Sequence, residues 1–113
     1  MNTWVFEIDG QPVGKGRPRF TRNGRVYTPE RTRSYEEMVE LSAYVSGLPV
    51  FDRGDALMVQ IDAYFARPKK MRGESPRHIA RPDADNIAKA ILDGLKKHLR
   101  DELVAELSVS KTY

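Results

Sequence analysis

Apolar and polar positions change period several times along this chain, and each change marks an element. Trp4, Phe6 and Ile8 alternate with Val5 and Glu7, which predicts a first strand closed by a turn at Asp9-Gly10. Asn23-Gly24 sits between Arg19-Phe20-Thr21-Arg22 and Arg25-Val26-Tyr27-Thr28, the signature of a tight hairpin with arginines near its tip. Thr28-Pro29-Glu30 reads as N-cap, first-turn proline and first-turn acid. It opens a helix that runs to about Ser46 and stops at Gly47, with an apolar stripe of Tyr35, Met38 or Val39, Ser42 and Val45. Leu57, Val59, Ile61, Ala63 and Phe65 alternate as a half-buried strand that ends at Arg67-Pro68.

A second helix follows Asp83 and has the clearest pattern in the chain. At 100° per residue, Asp85, Asn86, Lys89, Asp93, Lys96, Lys97 and Arg100 share an arc of about 120°. Ile87, Ala88, Ala90, Ile91, Leu92, Leu95 and Leu99 take the other side, where His98 also falls. Beyond Arg100, Leu103, Ala105, Leu107 and Val109 alternate with Val104, Glu106, Ser108 and Ser110, a final strand. The pattern is that of one α+β domain over residues 1–113, a small mixed or antiparallel sheet with two main helices.

Composition narrows the chemistry. The chain has 113 residues, 40% hydrophobic and 31% charged, as in a folded globular domain with one modest core. Cysteine is absent, which excludes disulfides and thiolate-bound zinc. His78 and His98 lack ligand-like spacing, so a bound metal would be a hard cation held by oxygen, Mg²⁺ or Mn²⁺. No apolar run reaches membrane-spanning length and no signal-peptide pattern opens the chain, so a cytoplasmic location is expected.

The net charge of +3 is unevenly placed. Lys15, Arg17, Arg19, Arg22, Arg25, Arg31 and Arg33 stand against Glu30 alone, and Arg67, Lys69, Lys70, Arg72, Arg77 and Arg81 against Glu74. Together these segments hold 13 of the 19 basic residues, and arginine forks bond phosphate oxygens in pairs. They read equally as solvated basic loops or as a polyanion-binding surface. Gly14 and Gly16 flank Lys15, which suits a flexible loop that closes on a ligand.

The candidate chemistry lies in Asp83-Ala84-Asp85. If the chain is extended at Asp83 and helical from Asp85, both carboxylates can reach one cation, near amides that favour their ionised state. Lys89, one turn beyond Asp85, could meet a carboxylate, a phosphate or a leaving oxygen. Asp101 could return to the same site if helix and final strand pack antiparallel. The same residues also suit an ordinary helix start: Asp83 as N-cap, Asp85 and Lys89 as a surface ion pair, and Asp93 as a support for Lys89.

The run Asp83-Ala84-Asp85-Asn86-Ile87-Ala88-Lys89-Ala90-Ile91-Leu92-Asp93-Gly94-Leu95, followed by Asp101-Glu102-Leu103-Val104 and Lys111, resembles the RusA family of Holliday junction resolvases. Gly14-Lys15-Gly16-Arg17-Pro18-Arg19-Phe20 and Tyr27-Thr28-Pro29 resemble its phage and prophage members. The resemblance implies a homodimeric, Mg²⁺-dependent endonuclease that cuts four-way DNA junctions symmetrically in recombination and repair. Its catalytic acids would fall on Asp83, Asp85 and Asp101, as metal ligands, with Glu102 the second choice for the third position. Its essential lysine would fall on Lys89. Lys15, Arg17, Arg19, Arg22, Lys69, Lys70, Arg72 and Arg81 would contact the DNA arms, chiefly through phosphates. The connection from Asp93 to Asp101 is shorter than is usual in the family, and members usually continue past the position of Lys111 into a further strand. Two other functions fit the residues: a non-catalytic DNA-binding module, and a metal-dependent nuclease for flaps, forks or RNA.

Overall fold

A computed structural model describes residues 2–68 and 77–113. Lys69, Lys70 and Arg72 lie outside the described residues. The elements are β1 (Arg19–Phe20), β2 (Val26–Tyr27), α1 (Glu30–Ser46), β3 (Leu57–Tyr64), α2 (Ala84–Gly94), a 3-10 turn (Asp101–Leu103) and β4 (Val104–Thr112). Two helices and two small sheets make the α+β arrangement that the periodicities predict. The hairpin β1–β2 is antiparallel, and β3–β4 is parallel, with Ile61 opposite Val109 and Ala63 opposite Lys111.

Parallel strands cannot be joined by a tight turn, so α2 serves as the crossover between β3 and β4. Ile87, Ala88, Ala90, Ile91 and Gly94 form its buried side. The regular helix ends at Gly94, earlier than the helical pattern through Arg100 suggests. Helical winding nevertheless persists: Leu95 donates to Ile91 O at 3.0 Å and Leu99 to Leu95 O at 3.0 Å, so Leu95, His98 and Leu99 stay on the buried side.

In α1 the buried stripe is Thr32, Tyr35, Val39 and Ala43. Met38 and Val45, candidates for that stripe from the sequence, are exposed, because the face is set by contact with α2 and not by apolarity alone. Gly47 ends α1 at φ 81°, and Leu48 donates to Ala43 O at 3.1 Å, which satisfies a terminal carbonyl.

The two helices meet at Gly94. A β-carbon there would lie 2.7 Å from Val39 Cβ and 3.0 Å from Glu36 O, so only hydrogen fits. The core formed around this crossing includes Tyr35, Val39, Ala63, Phe65, Ile87 and Ile91.

The alternating segment from Trp4 to Ile8 forms no strand. Phe6 and Ile8 pack against the core while Val5 faces out, so one-sided burial accounts for the alternation without a hydrogen-bonded partner. The hairpin turn differs too. Among the described residues only glycines have positive φ, including Gly24 at 77°, and Asn23 does not. A three-residue loop, Arg22-Asn23-Gly24, therefore replaces the two-residue turn; Thr21 donates to Arg25 O across its base at 2.8 Å.

Gly94→Ala tests the helix crossing. Intrinsic propensity favours alanine by about 1 kcal/mol, yet overpacking against Val39 should outweigh it and leave the variant less stable by ~1–2 kcal/mol. Urea unfolding would measure this, and a neutral or stabilised variant would contradict the close approach.

Candidate active site

Asp83 is the last extended residue before α2, with φ −69° and ψ 150°, and its carbonyl accepts the Ile87 N–H at 3.1 Å. Its side chain makes no capping hydrogen bond. Among the described residues no hydrogen bond or ion pair engages the carboxylates of Asp83 and Asp85 or the ammonium of Lys89. The ordinary helix-start roles are therefore unfilled: the cap is not made, and Asp85 and Lys89 do not pair. All three side chains are exposed, and Asp83 and Asp85 lie at the helix end where unpaired amides favour negative charge.

The loop before Asp83 is clasped from β4. Lys111 Nζ donates to Ala80 O at 2.7 Å and Pro82 O at 2.9 Å. Its own carbonyl accepts the His78 N–H at 3.1 Å, and Arg77 bridges to Thr112. The buried His78 ring stacks on Phe65 with centroids 3.7 Å apart and leans on Tyr113. Burial, and then the charge of Lys111, lower the His78 pKa below the ordinary histidine value. The ring is thus neutral at pH 7 and acts as a packing plate, with Nδ1 lacking a hydrogen-bond partner. In the sequence Lys111 is marked only by the family resemblance; its bracing role depends on a contact 29 residues away along the chain.

On the other side, Gly14-Lys15-Gly16 is a strap and not a mobile loop. Lys15 N donates to Asn86 O at 2.9 Å, and Gly16 N to Thr32 Oγ1 at 3.0 Å. A β-carbon on Gly14 would lie 2.7 Å from Pro82 Cβ, so the glycine permits close packing on the start of α2. Lys15 Nζ binds Glu36 on α1 and, at 2.9 Å, Asp93 on α2. Burial pulls the Lys15 pKa down, but the hydrogen bonds and charges of Glu36 and Asp93 more than offset it, and the net value is raised. The charge of Lys15 is thus committed within the protein, and Asp93 supports Lys15 where the helix pattern suggested Lys89. Arg17, Arg19, Arg22 and Arg81 are exposed.

Asp101 does not join Asp83 and Asp85 within one chain. Lys111, at the far end of β4, touches the residues just before Asp83, whereas Asp101 precedes the start of that strand. Val104 to Lys111 alone spans about 23 Å of strand. An antiparallel helix and strand place the residue after the helix at its C-terminal end, which is the reverse of what a shared site needs. Glu102, in the same turn, pairs with Arg100 at 3.5 Å. No group of three or more potential ligands among the described His, Asp and Glu residues is arranged to hold a metal ion.

With this geometry in view, the profile of the endodeoxyribonuclease RusA matches residues 9–113, nearly the whole chain. This chain belongs to the RusA family. The family is one of nucleases that resolve Holliday junctions, so the chain is placed among enzymes acting on branched DNA, in agreement with the resemblance carried by Asp83–Leu95. No match was found among curated proteins. No helix among the described residues is long and apolar enough to cross a membrane.

Two substitutions test the supports of this site. Lys111→Met should speed hydrogen exchange of the Ile87 amide, which bonds the Asp83 carbonyl, by about tenfold, as loss of one or two charge-assisted hydrogen bonds implies. Unchanged exchange there would remove the clasp from the account. Lys15→Met should destabilise the fold by about 1–2 kcal/mol, since it strands Glu36 and Asp93. Because the folded-state pKa of Lys15 is raised, its contribution is complete below the ordinary value of 10.5 and declines as pH rises through the folded value. Unfolding at pH 8 and pH 11 should therefore show the difference between wild type and variant shrinking at the higher pH.

Proposed function

We propose that this chain is a structure-selective endodeoxyribonuclease that resolves Holliday junctions as a homodimer, with Mg²⁺ as cofactor, in recombination and repair. The observation that carries the reading is the pair of partner-free carboxylates, Asp83 and Asp85, at the N-terminus of α2 in a chain of the RusA family. Two exposed oxygen donors with no protein partner suit a hard cation, and Mg²⁺ is commonly held by one or two carboxylates together with waters and substrate phosphate. Mn²⁺ satisfies the same donors. When bound, the ion would polarise the scissile phosphate, activate water and stabilise the leaving 3′-oxygen.

Asp83 and Asp85 hold the ion in this reading. Lys89, unpaired and one turn along the same face, stabilises charge that develops on the phosphate. Lys111 acts through the backbone, fixing the residues that enter Asp83. Asp101, the third acid implied by the family resemblance, comes from a second copy, since its own α2 N-terminus lies beyond its reach. A dimer also matches the substrate, because a four-way junction presents two equivalent strands about a two-fold axis. Arg17, Arg19, Arg22 and Arg81 grip the arms through phosphates, favouring branched shape over base sequence.

Asp83→Asn and Asp85→Asn should each retain junction binding while cleavage in Mg²⁺ falls by roughly two orders of magnitude or more. The measurement is a cleavage panel of four-way, forked, flapped and linear DNA, with an RNA control, alongside metal-free binding. Normal cutting by either variant would remove the metal-site assignment. Preference for forks, flaps or RNA would replace the resolvase reading, and binding indifferent to Mg²⁺ with no cutting would leave only a binding module.

A further inference from the structure

The β1–β2 hairpin is a separate sheet, bonded to neither β3 nor β4. Its register divides it into two unlike faces. Arg19 lies opposite Tyr27, and Thr21 bonds Arg25, so that face carries two arginines beside a tyrosine. Phe20 lies opposite Val26 on the other face, and neither packs against the core. Phe20 is 70% exposed and Val26 57% exposed. A phenylalanine and a valine left in water on one face of the arm, away from the core, add little to the stability of the fold.

The arm starts beside the candidate active site. Lys15 is hydrogen-bonded to the Asn86 carbonyl in the first turn of α2, and Gly16 to Thr32 in the first turn of α1. Phe20 lies five residue steps beyond Lys15, an extended reach of about 17 Å from the start of α2. From Lys15 through Pro29 the sequence contains five cations and no acid, which fits a polyanion such as DNA as the occupant.

We infer that the hairpin is a base-stacking arm: Phe20 takes an unstacked base at the branch point of the DNA while Arg19 and Arg25, on the opposite face, hold flanking phosphates. This inference rests on the branched-DNA reading and deepens it. A fully stacked duplex offers no base face to Phe20, whereas a branch point does, and each base has a π-face regardless of its identity. The arm therefore contributes preference for structure and none for sequence. Val26 fills the space beside the ring and keeps water from the stacked base.

The test is metal-free binding of the full chain to a four-way junction carrying a fluorescent adenine analogue at the branch point, compared with linear duplex. Phe20→Ala should weaken junction binding about tenfold, leave duplex binding unchanged and abolish the fluorescence change at the branch point. Phe20→Tyr should restore all three. Equal junction binding by wild type and Phe20→Ala, or equal losses on junction and duplex, would overturn the inference. Circular dichroism of the variants, in which only an exposed side chain is altered, separates loss of stacking from loss of fold. A wild-type protein that stacks the branch base through Phe20 yet cuts no junction in Mg²⁺ would sink the nuclease reading and leave the arm intact.

Discussion

The parallel pairing of β3 with β4 is the constraint on which the rest of the structure depends. Parallel strands need a crossover, and α2 supplies it by running back along the pair. Its N-terminus must then lie at the C-terminal ends of the strands, where Lys111 reaches Ala80 and Pro82. That end of an open α/β layer is where ligands generally bind. The same constraint sends Asp101 to the opposite end, so the separation of the acids within one chain is a product of topology and not of local conformation.

α2 and β3 were legible because each has a strong one-sided period, whereas α1 and β4 were legible as elements but not in their buried faces, since Met38, Val45, Ala105 and Leu107 are exposed. Ile87, Ala90, Ile91 and Leu95 lie buried as their spacing required. The alternation of Trp4, Phe6 and Ile8 was less informative, since packing Phe6 and Ile8 on the core needs no strand partner. Around the site, the adjacency of Asp83 and Asp85 could be read directly, because it is local. The contacts of Lys15 with Glu36 and Asp93, and of Lys111 with the loop, could not. They join residues distant in sequence, and a lysine in a basic segment carries no mark that distinguishes an internal tie from a phosphate contact. Gly14 shows the same limit: a glycine chosen for close packing on Pro82 is indistinguishable in sequence from one chosen for mobility.

Packing and polar ties act at different places on the helix pair. Gly94 and Val39 bring the C-terminal half of α2 onto α1, and the Lys97–Glu40 ion pair lies nearby on the exposed side. Lys15 closes the other flank through Glu36 and Asp93. Hydrophobic contact supplies most of the attraction, while the charged ties fix the relative placement of the helices, on which the position of Asp85 depends.

The clasp by Lys111 has a consequence for cation choice. It orders the main chain entering Asp83 but leaves both carboxylates free to turn, with no rigid cage around them. Little backbone entropy remains to be lost when an ion arrives, so capture is cheap for any hard cation of suitable charge. Discrimination then falls to the ions themselves: a small ion that insists on octahedral geometry and keeps its waters will hold a phosphate in line, while a larger, more permissive ion such as Ca²⁺ occupies the same oxygens without enforcing that alignment.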